Sequence, residues 1–200
     1  MDKEKFKAAL KKVWWFIWED DSIWSWIVNI ILAFVLIKYI VYPGLGLILS
    51  TSYPIVAVVS GSMEHDGNFN NFWEVRGAWY IDHNLTQEQF FDFNFRNGFN
   101  KGDIMILYGK KPRDIGVGGV IVFRSNRPDP IIHRVVRKWE INGKYYFHTK
   151  GDHNTDSITS VGLDETNISE DQLLGKAVFR IPLLGYIKIG FVELINLFVR

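Results

Sequence analysis

"PIVAVVSGSMEHDG", residues 54–67, runs from an apolar, β-branched strand straight into Ser60-Gly61-Ser62-Met63. A strand that only has to stop does so with Asn-Gly or Pro-Asp. Two hydroxyls flanking a glycine at the end of a buried strand either make an ordinary turn or expose the Ser62 oxygen on a rigid element where it can react. The short apolar run bounded by turn residues reads as a core strand, and the segments around it extend that reading in both directions.

Downstream, short β-like runs follow one another: "DIMILYG" (103–109), "VGGVIVFRS" (117–125), "PIIHRVVRKWEI" (130–141) and "KYYFHTKG" (144–151). Gly, Pro and Asn separate them, and Asn142-Gly143 is a strong hairpin signal. The expected fold is therefore mostly β, an antiparallel sheet closed on itself or folded over. "GVGGV" (116–120) lacks the helix that a dinucleotide loop requires, so it reads as a strand entry. Residues 65–100, with "FNNFW" (69–73) and "FFDFNFRNGF" (90–99), read as an irregular, aromatic-rich lobe packing on itself.

Upstream lies "WSWIVNIILAFVLIKYIVY", Trp24 to Tyr42, with Asn29 and Lys38 as its strongly polar members. At 1.5 Å per residue, about 19 helical residues cover about 28 Å, close to the hydrocarbon thickness of a bilayer. Trp24, Trp26, Tyr39 and Tyr42 sit at its ends as interfacial aromatics do, and Lys38 can snorkel. Pro43, Gly44 and Gly46 are expected to break the helix. Lys3, Lys5, Lys7, Lys11 and Lys12 precede the span, and no Lys or Arg occurs from Tyr39 to Val75. The positive-inside rule then makes the N-terminus cytoplasmic. The expected organisation is a cytoplasmic segment (1–21), an anchor (22–42) in a cell or endoplasmic-reticulum membrane, an extracytoplasmic β domain (43–186) and an apolar C-terminal helix (187–200). That last helix is expected to dock on the domain or lie on the membrane surface.

The bulk composition limits the chemistry. Among 200 residues the formal net charge is +1, which offers no electrostatic footprint for nucleic acid. Aromatics make up 16%, including 8 Trp and 15 Phe, as suits a membrane interface. There is no cysteine, hence no disulfide, thiol nucleophile or zinc-thiolate site. No phosphate loop, metal-ligand cluster or cofactor motif is present, and no cofactor is expected. An acyl-transfer enzyme built from these residues needs Ser or Thr with a base. His133 in "IIHRVV" shares a strand face with Ile131 and Val135, and a neutral imidazole can take a serine proton near neutral pH. "TKGDHNTDS" (149–157) supplies Asp152 and Asp156 in a tight turn. A buried carboxylate that holds a histidine's tautomer is the third part of such a unit.

"SGSM" after an apolar strand, "KGDIMIL", "IIHRVV", "TKGDHNTDS" and "GKAVFRIPLLGYI", in that order behind an N-terminal anchor, resemble the signature boxes of type I signal peptidases. The likeness is to the archaeal and endoplasmic-reticulum branch, and it extends from the anchor to about Ile187. It implies a membrane-bound serine endopeptidase that removes signal peptides from preproteins. Carried over by position, Ser62 is the nucleophile, and His133 stands where the bacterial branch has a lysine base. The Ser60 hydroxyl and the Ser62 amide form the oxyanion site. The family's first aspartate matches Asp152, but six positions on, where a second is usual, stands Ile158. The nearest acid is Asp156, which is expected to orient His133, with Asp152 as support. A substrate strand added beside the edge strand would meet small pockets, expected at Ile55, Val56, Val58 and Met63. Expected partners are preprotein signal peptides, the lipid bilayer and the translocation machinery. The alternatives are a non-catalytic membrane-anchored β module, or a relative specialised for one kind of precursor.

Overall fold

The computed structural model of the chain describes residues 3–187 and 190. It divides into two compact units, Met1–Ile48 and Leu49–Arg200.

The first unit is helical. Helix α1 spans Lys3–Trp18 and α2 spans Ile23–Leu36, the latter capped by Ser22, whose side chain accepts from the Ser25 amide. A π-helical segment, Ile37–Val41, then leads into α3, Tyr42–Ile48. Helix thus continues past Pro43, Gly44 and Gly46 instead of breaking there. Pro43 falls in the first turn of α3, where a missing N–H costs little. The wider π turn before it reroutes the backbone bonds, with the Tyr42 amide bonding to the Ile37 carbonyl. The resulting 26-residue apolar helix, Ile23–Ile48, is long enough to cross a bilayer. Asn29, the polar residue early in it, donates to the Ile17 carbonyl at 2.9 Å.

The second unit is a seven-stranded antiparallel sheet in the order β1-β2-β9-β3-β4-β5-β8. The strands are β1 (Ile55–Ala57), β2 (Ile104–Tyr108), β3 (Val120–Phe123), β4 (Ile131–Ile141), β5 (Lys144–Lys150), β8 (Ile168–Ser169) and β9 (Leu173–Ile181); β6 (Thr159–Ser160) and β7 (Leu163–Asp164) form a separate hairpin. Among the described residues β1 and β8 are edges, so strand pairing does not close the sheet there. Asn142 and Gly143 join β4 to β5 with φ of 51° and 76°, the left-handed pair a tight hairpin turn needs. Val58, Met63, Phe99, Met105, Leu107, Val120, Val122 and Ala177 form one core, and Ile115, Ile121, Phe123, Val135, Phe147, Leu163 and Ile168 a second.

Residues 65–100 are not irregular throughout. They carry α4 (Phe69–Asp82), capped by Asn68, and α5 (Gln87–Phe91), which begins with a Thr86–Gln89 capping box. Phe69, Phe72, Tyr80, Leu85 and Phe90 are buried together against Val136 of β4. The lobe does pack on itself, around rings set at helical spacing. Of the C-terminal segment 187–200, only Ile187 and Gly190 are among the described residues, so its expected helix lies outside them.

Candidate active site

Strand alternation on β4 and β5 builds the site. Neighbouring residues point to opposite faces of a sheet, so His133 and Thr149 face one way and Arg134 and Lys150 the other. His133 Nε2 lies 2.9 Å from Ser62 Oγ. On the far side of the ring, Nδ1 makes a very short contact with a carboxylate oxygen, Glu165 Oε1. Ser60 Oγ stands 3.2 Å from Ser62 Oγ. Serine, imidazole and carboxylate are therefore aligned with the imidazole between the two.

Glu165 is fully buried, and its oxygens are engaged: Oε1 accepts from Thr149 Oγ1 at 2.9 Å and Oε2 from the Ile158 amide at 2.8 Å. Its backbone is tied on both sides, N to the Ile158 carbonyl and O to the Thr149 amide. With the carboxylate on Nδ1, the imidazole keeps its proton there and turns a lone pair on Nε2 toward the hydroxyl.

The two aspartates stand elsewhere. Asp152 is buried on the opposite side of the strand layer. It accepts from Tyr80 Oη at 2.8 Å, His65 Nε2 at 3.0 Å, and Arg134 Nε and Nη2 at 2.9 and 2.6 Å. Burial alone would raise its carboxyl, but the Arg134 charge and the bonds from His65 and Arg134 outweigh that and hold it well below the usual carboxylate range. Arg134 also donates to the carbonyls of Asn94, Phe95 and Gly118. Lys150, cross-strand from Arg134, donates to the Gly151 carbonyl at 3.1 Å, with its ammonium over the Trp79 and Tyr80 rings. Burial lowers that ammonium to about 8 against the attraction of Asp152.

Asp156 is exposed and accepts from Trp79 Nε1 at 2.9 Å and from its neighbour Ser157 N at 2.7 Å. Those two bonds keep its carboxyl below its ordinary value. Neither aspartate touches His133; the position expected of Asp156 is held by Glu165. Glu165 follows the β6–β7 hairpin, 32 residues beyond His133, and no motif marks it. Its one legible signal is that it and Asp164 form an acidic pair in the polar run "SVGLDETNIS".

A cleft of about 350 Å³ opens beside Ser62, walled by Ala57, Val59, Ile131, Ile132 and Ile158 together with Ser60, His133 and Asn154. The expected pocket residues fall differently. Val58 and Met63 point into the core, and Val56 packs against it. Ile55 is half-buried on β1 and is not in the cleft wall. Alternation past β1 puts Ala57 and Val59 on the cleft side and Val58 beneath.

No family model matches the chain. Curated relatives do. The chain is 27% identical over 159 residues to "Signal peptidase complex catalytic subunit SEC11" of Yarrowia lipolytica, spanning 78% of this chain and 73% of that protein. It is 28% identical over 163 residues to the same-named protein of Komagataella phaffii, spanning 78% and 76%. This chain is a relative of the type I signal peptidases. An antiparallel sheet behind an N-terminal apolar helix suits a signal-peptidase-like domain. The Pyricularia oryzae protein of that name, at 27% over 158 residues, is similar over the same share of the chain.

Proposed function

We propose that the chain is a membrane-anchored serine endopeptidase that cleaves N-terminal signal peptides from preproteins, with Ser62 as nucleophile, His133 as general base and Glu165 as the carboxylate that orients it. The observation that carries the reading is the line from Ser62 Oγ through His133 to Glu165 beside an apolar cleft. The name of the relatives, signal peptidase complex catalytic subunit, points to the same substrate class.

In this mechanism His133 Nε2 takes the proton of Ser62 Oγ as the oxygen attacks the scissile carbonyl carbon. The oxyanion is met by the Ser62 amide and the Ser60 hydroxyl, and one such donor stabilises the barrier by about 2.7–4 kcal/mol. The imidazolium, held by Glu165, then protonates the leaving amine, and water hydrolyses the acyl-enzyme. Helix Ile23–Ile48 anchors the enzyme, and only six residues, 49–54, separate its end from β1. The free edge of β1 is where an extended substrate can add as a strand. Lysine placement puts the N-terminus in the cytoplasm and the β domain outside it.

The test is cleavage of a model preprotein by full-length protein in proteoliposomes. Ser62→Ala is expected to be folded and inert, and His133→Lys likewise inactive. Cleavage by Ser62→Ala with no other peptidase present would remove the serine mechanism and favour a non-catalytic module.

A further inference from the structure

Residues 151–154 form a turn closed by the Asn154 amide bonding to the Gly151 carbonyl at 3.0 Å. Gly151 has only hydrogen on its Cα, and the bare face it leaves is crowded with polar atoms. A Cβ there would stand 2.7 Å from Asn154 Nδ2, 2.8 Å from His133 Nε2 and 2.8 Å from the Ser62 carbonyl oxygen. Three polar groups from three segments thus converge over one glycine.

The neighbouring side chains of this turn are engaged: Asp152 by Arg134, Tyr80 and His65, and Asp156 by Trp79. The Asn154 side chain makes no hydrogen bond among the described residues, yet it lines the cleft with Ser60, Ser62 and His133. The Ser62 carbonyl accepts one bond, from the His153 amide at 2.9 Å, and has a second lone pair to offer. The cluster therefore presents one N–H donor, one carbonyl acceptor and an imidazole nitrogen that accepts when neutral. Water, which donates two hydrogen bonds and accepts two, complements that set.

We propose that the Asn154 side-chain amide holds the water that hydrolyses the acyl-enzyme and presents it to His133 Nε2. The inference rests on the serine-peptidase reading above and concerns its second half-reaction. The water oxygen accepts from Asn154 Nδ2 with one lone pair and attacks the ester carbonyl carbon with the other. One water proton passes to His133 Nε2. Collapse of the tetrahedral intermediate breaks the bond between that carbon and Ser62 Oγ, and Ser62 Oγ recovers the proton from His133. The acid product leaves and the free enzyme is restored. Asn154 takes no proton, so its contribution is position.

The two half-reactions separate with a peptide ester and a peptide amide that share one acyl part, cleaved by full-length enzyme in detergent. Esters acylate readily, which leaves deacylation to limit their turnover. Asn154→Leu, similar in volume but without a donor, and Asn154→Ala are expected to cut ester turnover about tenfold or more, the worth of one neutral hydrogen bond. Both are expected to keep a burst of alcohol product of one per enzyme, which also reports that the variant is folded. Hydroxylamine, a nucleophile that does not depend on a positioned water, is expected to speed the variants' turnover several-fold and the wild type's little. Unchanged ester turnover overturns the proposal. So does a lost burst in a protein that still melts as wild type does, since that places Asn154 in substrate binding instead. Ester turnover that survives Ser62→Ala is a different result, because it removes the serine mechanism itself.

Discussion

His133 and Arg134 are adjacent on β4 and serve opposite faces, one bonding the proposed nucleophile Ser62 and the other the buried Asp152. That one-residue offset separates chemistry from scaffolding, and it makes the acidic residues distinguishable by experiment. Glu165→Gln keeps the shape but offers His133 Nδ1 an amide that can turn an N–H toward it. The imidazole is then free to settle in the wrong tautomer, and preprotein cleavage is expected to fall about 10³–10⁴-fold with the melting temperature little changed. Asp156→Asn is expected to cleave at close to the wild-type rate, since its carboxylate is exposed and bonds to Trp79. Asp152→Asn leaves Arg134 buried without its counter-charge and is expected to cost about 3–5 kcal/mol of stability in a denaturant titration. Because the folded Asp152 carboxyl is held below its unfolded value, its stabilisation is present above about pH 4 and lost as the pH falls further.

At the level of elements, the segment from β1 to Ser62 sets the cleft by parity. Val59 is exposed on the cleft wall and Val58 is buried in the core. Val59→Phe is therefore expected to shift side-chain preference at the cleavage site in a panel of preproteins without altering stability. Val58→Phe overpacks a filled core and is expected to cost about 1–3 kcal/mol while leaving preference alone. Helix α4 meets the turn at 151–156 through Tyr80 and Trp79, which bond Asp152 and Asp156 and cover Lys150. The folded Lys150 loses its proton near 8, whereas the unfolded side chain keeps it to about 10.5. Between those values the unfolded chain binds more protons, so thermal stability is expected to rise from about pH 8 to pH 10. Burial and Asp152 push Tyr80 up, which reverses the trend once unfolded tyrosines ionise near pH 10. Lys150→Met is expected to flatten the rise between pH 8 and 10.

For the whole molecule, the decisive quantity is which side of the membrane the segment before the apolar helix faces. Five lysines lie before the apolar helix, and none follows within the next few turns of chain. In sealed right-side-out vesicles an external protease is expected to digest the β domain and spare the N-terminal segment; protection of the β domain would reverse the topology. The same helix shows how a polar residue is carried in a span. Asn29 donates one amide N–H to the Ile17 carbonyl, which lessens the cost of a polar side chain in lipid.

What the residues determined by themselves were local quantities. Apolar length marked the membrane helix, Asn142-Gly143 marked the β4–β5 hairpin, and short β-branched runs marked an antiparallel sheet. The order of the boxes around Ser62 and His133 pointed to the signal-peptidase relatives. Each of these is a pattern within a few residues, where sterics and hydropathy act directly on neighbours in the chain. Three things belonged to the tertiary structure alone. The helices of 65–100 stayed unread because exposed apolar residues, Val75 and Ile81, blur the buried stripe of Phe69, Phe72 and Tyr80, whose partners, Phe90 and Val136, come from elsewhere in the chain. Val58 and Met63 lie in the core and not in the cleft wall, because the side of this strand that faces the core depends on what packs beneath it. The carboxylate on His133 came from Glu165, beyond the turn that carries the aspartates, because a buried charge is placed by the partners that satisfy it. Thr149 and the Ile158 amide supply those partners only once β5 and the β6–β7 hairpin have come together.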